Sequence, residues 1–389
     1  MSWNERAARL RRTTGLDFIV AFVAVLACAL IILGGPGLVP AHPMDQGFAY
    51  VDLSLSRKDG VWNFQYPQLQ WSGGITASLT VGLYKLLVAP STETLNWHVR
   101  MLGAAMYIGS AWLLVNSFVR APAMRALAML VTVTSGFQFL EPTSELIAAS
   151  YLCLVLVGVK RAWPDGSVAV LLVLFGLCKV ELVPAAAAAA AMWAASAGGA
   201  PQLRRRLAWT LGAAGMCLLP GLVVHGLGAV GGGRAMETFS QHYTALDPAA
   251  TQRLKDVGGV REFASLHPAW YGEFLLRSAL ESAANALFAL KGLLVVFAIA
   301  GIRCVRNDQA WRLFGIALVI ALAPAMLVAF VHVRYLARFF PALVVLAFVC
   351  LESLEQSSGR RRLGLMATVA TIGAQLWFAP ALIADPQAY

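Results

Sequence analysis

Long apolar runs that recur along the whole chain restrict its fold more than any other feature. A helix crosses the hydrocarbon core of a bilayer in about 20 residues. The runs are continuous rather than alternating, so helices are expected instead of barrel strands. We therefore predict an all-α polytopic membrane protein with about eleven transmembrane helices. The predicted spans are 17–39, 99–118, 123–140, 144–160, 166–180, 182–198, 207–229, 287–303, 312–331, 336–353 and 363–383.

Composition agrees with this interpretation. The chain is 59% hydrophobic and 13% charged, whereas a soluble domain is about 45–50% apolar and about 25% charged. The first run is longer than a signal-peptide core of about 7–15 residues, so we expect it to remain as a span. None of the cysteines forms a closely spaced pair that would predict a zinc site.

The apolar segment 73–90 could either cross the membrane or lie along it. Thr76 and Lys85 interrupt the segment, whereas Ile75, Leu79 and Leu83 fall near one helical face. This pattern favours an amphipathic helix in the membrane interface, within the first outer loop.

Short basic clusters between the spans decide the orientation. If 73–90 lies flat, all of them share a side with the N-terminal arginines, as the positive-inside rule requires. We therefore predict a cytoplasmic N-terminus and attribute the net charge of +10 to topology, with no nucleic-acid partner. The clusters are Arg6, Arg9, Arg11 and Arg12; Arg120 and Arg125; Lys160 and Arg161; Arg204, Arg205 and Arg206; Arg303, Arg306 and Arg312; and Arg360, Arg361 and Arg362.

This topology collects charged and aromatic residues on the outer side of one domain, 1–389. Two long outer loops, about 40–97 and about 230–286, join shorter turns at the ends of the spans. The turn between the fifth and sixth spans reads Lys179-Val180-Glu181. The candidate site residues on this side are His42, Asp45, Tyr66, Trp71, Arg100, Glu141, Glu145, Lys179, His242, His267, Arg334 and Arg338.

Glycosyl transfer from a lipid-phosphate sugar needs this combination of side chains. A carboxylate such as Asp45 can accept the proton of the acceptor hydroxyl, and Lys or Arg can stabilise the leaving phosphate. Aromatic rings such as Tyr66 and Trp71 suit sugar faces, although they are also typical of the interfacial belt. Asp45 could instead be a helix N-cap, and the other charges could be end caps or snorkelling side chains.

The order of short motifs resembles the type C glycosyltransferases, near the protein O-mannosyltransferases and the bacterial aminoarabinose and arabinosyl transferases. The resemblance covers most of the chain in architecture. The motifs are His42-Pro43-Met44-Asp45-Gln46-Gly47, Tyr66-Pro67-Gln68-Leu69, Arg100, Glu141-Pro142-Thr143-Ser144-Glu145, Leu177-Cys178-Lys179 and Arg334-Tyr335-Leu336.

The resemblance implies a role for each matching residue. Many relatives have two adjacent acids in the first loop, whereas Gln46 follows Asp45 here, so we expect a single base and no metal or other cofactor. The implied roles are Asp45 as catalytic base, Glu141 with Glu145 one turn later as the second acidic position, Lys179 and Arg334 near the lipid phosphate, and Arg100 as an arginine that helps shape the site there. From their own chemistry and outer placement, the other candidates are Arg338 at the lipid phosphate, and His42, Tyr66, Trp71, His242 and His267 at the sugar or acceptor.

The expected function is that of an inverting glycosyltransferase of the cell envelope. It would move a sugar from a polyprenyl-phosphate donor to a glycan, lipid or protein acceptor, in contact with membrane lipid. The active site would face the periplasm or cell exterior in a bacterial inner membrane. Loop 230–286 would select the acceptor.

Two alternative functions stay open. A flippase or transporter of lipid-linked sugars would carry charges at mid-span positions and in broken helices, and His225 and Lys291 come nearest to that pattern. A polysaccharide polymerase or ligase would use a lipid-diphosphate donor and an arginine-rich loop, and loop 230–286 contains several arginines.

Overall fold

The structure is a computed structural model, and the regular elements of its described residues are helices apart from one short hairpin. The helical part of the predicted fold class is therefore confirmed for the described residues. These residues are 55–58, 61–64, 74–88, 95–134, 144–226, 234–247, 249–254, 257–289, 292–329, 331, 333–356, 366–371 and 373–374.

Fifteen helices follow the hairpin between residues 74 and 356 in the described part of the chain, and a 3-10 turn, Val180–Leu182, joins two of them. They are α1 Gly74–Val88, α2 Leu95–Phe118, α3 Pro122–Thr134, α4 Ser144–Lys160, α5 Asp165–Gly176, α6 Val183–Ala195, α7 Ala200–His225, α8 Arg234–Leu246, α9 Ala250–Arg253, α10 Val260–Leu266, α11 Pro268–Ala289, α12 Leu293–Val305, α13 Gln309–Val328, α14 Val333–Ala337 and α15 Phe340–Gln356.

The hairpin lies in segment 40–97, the predicted first outer loop, for which helices were the only secondary structure predicted. Strand β1, Leu55–Lys58, pairs antiparallel with β2, Val61–Phe64, in a register that sets Lys58 opposite Val61. The connection has the sequence Asp59-Gly60, a pair strongly preferred in two-residue hairpin turns because both positions tolerate positive φ. This local signal was present in the sequence, and the helical prediction overlooked it.

Tightly packed helix pairs form the core. Helices α2 and α4, α12 and α15, and α6 and α13 have the most extensive contacts. At the α12–α15 crossing, a Cβ on Gly301 would lie 2.1 Å from the carbonyl oxygen of Leu346. Glycine therefore lets the two backbones touch, as is common where membrane helices associate.

Helix α1 packs a mixed face against the bundle, on which Ile75 and Val81 are buried beside Thr76. The predicted apolar face is therefore divided, because Ile75 is buried and Leu83 is exposed. Thr76 donates its backbone N–H to the Leu177 carbonyl at 3.1 Å and its hydroxyl to the Leu174 carbonyl at 2.6 Å. Lys85 is also buried, whereas Leu83 and Leu87 are exposed. The predicted helix exists, and its exposed apolar residues would need an apolar environment.

Most predicted spans within the described residues correspond to a helix, with one interruption, whereas span 17–39 and most of span 363–383 lie outside those residues. Loop 230–286 contains helices that were not predicted, α8 to α10 and most of α11. The predicted span 287–303 is divided between α11 and α12. Gly292 separates them with φ +63°, a left-handed conformation that glycine adopts without steric cost.

Only α7, among the described helices, is both long and apolar enough to cross a bilayer by itself. It has 26 residues, and 11% of its most apolar window is buried. Other apolar helices, including α5, α6 and α12, are between 10 and 17 residues long. The polytopic arrangement is therefore taken up below as a proposal.

Helices α8 to α11 form a unit around buried aromatic rings. Phe239, Tyr243, Phe263 and Phe274 are all buried there. The unit is attached to the C-terminal end of α13, because the Tyr271 hydroxyl donates to the Leu327 carbonyl at 2.9 Å. It therefore lies at the end of α13 opposite to Gln309.

Candidate functional site

Four charged side chains meet at one end of the helix bundle. Glu145 accepts hydrogen bonds from Lys179 and from Arg338, whose Nη2 lies 3.2 Å from Glu145 Oε1. The same Nη2 donates to Glu181 Oε1 at 2.8 Å. We call these four residues the ionic cluster.

Helix ends bring the ionic cluster together. Glu145 lies in the first turn of α4, where a negative charge is favourable near the helix N-terminus. Lys179 has extended backbone, with φ −153° and ψ 149°, between α5 and the 3-10 turn that contains Glu181. Arg338 lies between α14 and α15. Three separate turns at the same end of the bundle thus contribute to the cluster.

Exposure increases across the ionic cluster from the interior to its rim. The side chains of Glu145 and Arg338 are 0% and 2% exposed, whereas those of Lys179 and Glu181 are 17% and 37% exposed. Protein atoms around the Glu181 carboxyl desolvate it, which would raise its pKa. The charges of Arg338 and Lys179 outweigh that effect, so the pKa of Glu181 lies below its usual value.

Because their exposure and partners differ, the two cations of the ionic cluster differ in their ability to bind a further group. Arg338 is held by two carboxylates and by the ring of Tyr335, whose centroid lies 5.1 Å from the guanidinium carbon. Lys179 uses one ammonium donor on Glu145, and an ammonium group has three. Lys179 is therefore the cation best placed to accept an additional anion, while Arg338 fixes the two carboxylates.

Several predicted site residues lie outside the described part of the structure. Arg100 belongs to α2 and Arg334 to α14, but their side chains are not among those described. The other predicted residues outside the described ranges are His42, Asp45, Tyr66, Trp71 and Glu141.

The two histidines predicted for the acceptor lie on the aromatic unit instead of in the ionic cluster. His242 is half-buried on α8. His267 precedes α11 and stacks on Trp270, with ring centroids 4.7 Å apart. Arg253 covers Trp270 at 4.6 Å, so this site is an aromatic surface with cationic and imidazole edges.

Sequence reasoning did not assign Glu181 to the site, although it noted the residue in its turn. The sequence did contain a signal for Glu181, because only Val180 separates it from the predicted site residue Lys179. In the structure Val180 is exposed at this turn. What the sequence could not provide was the distance to Arg338, which is 157 positions away.

Residues of the predicted cytoplasmic clusters collect at the opposite end of the bundle, which we call the basic end. Asp165 accepts hydrogen bonds from Arg205 and Arg206 at 2.5 to 3.0 Å. Partial burial would raise the pKa of Asp165, but these bonds outweigh it and lower that pKa. Lys160 pairs there with Asp308.

In the part of the chain that the structure describes, no three His, Cys, Asp or Glu side chains are grouped to bind a metal ion. Comparisons with protein-family models, curated proteins and solved structures found no match.

Proposed function

We propose that this protein is a polytopic membrane glycosyltransferase that transfers a sugar from a polyprenyl-phosphate donor to an acceptor at the outer membrane face. The observation that carries the proposal is the ionic cluster. It joins Glu145, Lys179 and Arg338, three of the residues predicted for the site.

The distribution of polar and apolar side chains supports placement in a membrane. Helix α7 exposes large apolar residues such as Leu211, Met216 and Val223, while Glu145 and Arg338 are buried. Exposed apolar surface of this extent is typical of contact with lipid. In this proposal each shorter apolar helix, such as α5 or α12, would cross the bilayer together with the residues that flank it in the chain.

The two ends of the bundle support the proposed orientation. The basic end carries arginine and lysine from four of the predicted cytoplasmic connections, as the positive-inside rule expects of the cytoplasmic face. The ionic cluster lies at the ends of the same helices on the other side, so it would face outward. A lipid-linked donor could reach it from the bilayer.

In the proposed reaction Lys179 stabilises the phosphate of the leaving polyprenyl group. Its partial exposure and remaining donors suit that role, because a charge-assisted hydrogen bond strengthens as negative charge develops on the phosphate. Arg338 is a positioning residue that fixes Glu145, and Glu145 in turn orients Lys179. Asp45 is proposed as the base that accepts the acceptor proton.

The first outer loop enters the described fold beside this cluster. Gly74 begins α1 with φ +60°, and a Cβ at that position would lie 2.2 Å from the Cys178 carbonyl oxygen. Cys178 directly precedes Lys179. This close contact supports a site in which the loop that contains Asp45 and the turn that contains Lys179 act on one donor.

The test is transfer of labelled sugar by the purified full-length protein from a panel of polyprenyl-phosphate sugars. We expect Asp45→Asn to lower turnover about 10²–10⁴-fold with an unchanged unfolding midpoint. Lys179→Gln should lower turnover more than Lys179→Arg, which keeps the charge, and Arg204→Gln, at an exposed position of the basic end, serves as the control. Full activity of Asp45→Asn, or vesicle transport with no covalent product, would overturn the proposal.

A further inference from the structure

A second charged site lies at the basic end, away from the ionic cluster. A cavity of about 1010 Å³ opens between the ends of α2 and α15 and the turn after α12. We call it the basic cavity. Its charged lining consists of Arg120, Arg125, Lys160, Arg303, Arg306, Asp308 and Glu352.

Both carboxylates of the basic cavity already have partners. Asp308 pairs with Lys160 and accepts the Ala310 N–H at 3.0 Å. Glu352 accepts the backbone N–H of Arg120 at 3.1 Å and that of Ala121 at 2.6 Å. Neither carboxylate forms an ion pair with the exposed arginines of the cavity.

Three arginines therefore supply uncompensated positive charge. Arg120, Arg303 and Arg306 are exposed, and within the described ranges none of the three forms a salt bridge. Arg306 lines the cavity, and its carbonyl accepts a hydrogen bond from Arg312 Nε at 3.0 Å. Arg303 and Arg306 are three residues apart in the chain and line the same cavity, so an anion bound there would reduce the repulsion between their charges.

An apolar stripe leads from the basic cavity along the outside of α12. Val296, Ile299 and Ile302 are exposed at intervals of three residues, which places them on one side of the helix. Ile302 directly precedes Arg303. Apolar surface that ends at an arginine pair is the pattern expected beside a lipid whose headgroup is anionic.

We propose that the basic cavity binds a phosphate group, as carried by an anionic phospholipid headgroup or present as free phosphate. Arginine presents a planar set of donors that matches phosphate oxygens, and basic pockets between membrane helices on the cytoplasmic side bind such headgroups. The stripe on α12 favours the lipid as the source. The inference rests on the proposed cytoplasmic placement of the basic end, but not on glycosyl transfer.

The test measures binding of short-chain phosphatidylglycerol to the purified full-length protein in neutral detergent, with short-chain phosphatidylcholine as the zwitterionic comparison and inorganic phosphate as competitor. We expect saturable binding of phosphatidylglycerol that weakens at least about tenfold in Arg303→Gln/Arg306→Gln. The matched control, Arg204→Gln/Arg261→Gln, removes the same charge from exposed positions outside the cavity. The unfolding midpoint of each variant is measured to check that it folds.

The outcomes separate the two sources of phosphate. Competition by inorganic phosphate would identify the phosphate group itself as the ligand, whereas loss of lipid binding in the cavity variant without such competition would identify the lipid. Equal binding of phosphatidylcholine, or equal loss in both variants, would overturn the proposal. Sugar transfer is measured separately, so its failure leaves this result interpretable.

Discussion

At the scale of single residues, Glu145 and Arg338 show how a costly feature is kept in an apolar interior. Burying an isolated ion costs several kcal/mol even after relaxation, and both side chains are almost completely buried. Hydrogen bonds from Lys179 and to Glu181 complete the cluster. Removing either Glu145 or Arg338 should therefore lower the free energy of unfolding by more than the intact ion pair adds to it. The reason is that the partner charge stays buried without its counter-charge.

We predict that Arg338→Met destabilises the protein by about 3–5 kcal/mol. The reason is that Glu145 and Glu181 lose their shared cation. The double variant Glu145→Gln/Arg338→Met should lose less than the sum of the single variants, with a coupling of about 1–3 kcal/mol. Thermal unfolding of the detergent-solubilised protein measures each loss.

Arg277→Met is the matched control for that prediction. Arg277 pairs with Glu273 four residues earlier on α11, and both side chains are about half exposed, at 47% and 46%. Such a pair is worth about 0.3–0.5 kcal/mol. Equal unfolding midpoints for Arg338→Met and Arg277→Met would show that the buried cluster contributes no more than a surface pair.

The candidate site could be predicted from sequence only in part. Glu145 and Lys179 were predicted because a charge at the end of an apolar run costs free energy, and Arg338 because it lies in the same outer segment as Arg334. Their mutual contacts join positions up to 193 residues apart, and no local pattern encodes such a distance. The role of Arg338 also depends on burial, which separates a residue that positions others from one that binds a ligand.

At the scale of helices, the length of an apolar run predicted that a helix is present better than it predicted where that helix begins and ends. Helix α4, Ser144–Lys160, has the predicted bounds, whereas α11 and α12 divide a predicted span at Gly292. Hydropathy cannot detect that break, because it depends on one backbone conformation. The Asp59-Gly60 hairpin was missed for the opposite reason, since its signal is local turn chemistry and the surrounding prediction used only apolar periodicity.

We predict that Gly301→Ala destabilises the contact between α12 and α15 by about 1–3 kcal/mol. The added Cβ would overlap the Leu346 carbonyl, a backbone group that cannot rotate away. Gly315→Ala is the control, since nothing lies within 4 Å of a Cβ there and alanine favours helix by about 1 kcal/mol. The unfolding midpoint should fall for Gly301→Ala and hold or rise for Gly315→Ala.

A fall of the midpoint by the same amount in both glycine variants would contradict this account of the helix contact. The sequence alone could not distinguish the two glycines, because both lie in apolar helices. Only the position of the partner backbone separates them. Close packing at Gly301 also fixes α12 against α15, and the ends of these two helices line the basic cavity.

At the scale of the whole molecule, the ionic cluster and the basic end lie at opposite ends of the helix bundle. Helices α4 and α15 each begin near the ionic cluster and end at the basic end, at Lys160 and near Glu352. The aromatic unit is attached to α13 far from Gln309, where α13 begins beside the basic end. The basic residues of four clusters that the sequence placed on one side do lie at one end. Under the proposed membrane placement, that end is the cytoplasmic one.

We predict that the two ends of the molecule differ in their accessibility from outside the cell. In a variant without native cysteines, Arg261→Cys on the aromatic unit should react with a membrane-impermeant maleimide in intact cells. Arg204→Cys at the basic end should react only after the membrane is opened. Both positions are exposed in the structure, so burial cannot produce the difference. The opposite labelling pattern would reverse the orientation, and equal labelling of both positions in intact cells would refute the membrane-spanning arrangement.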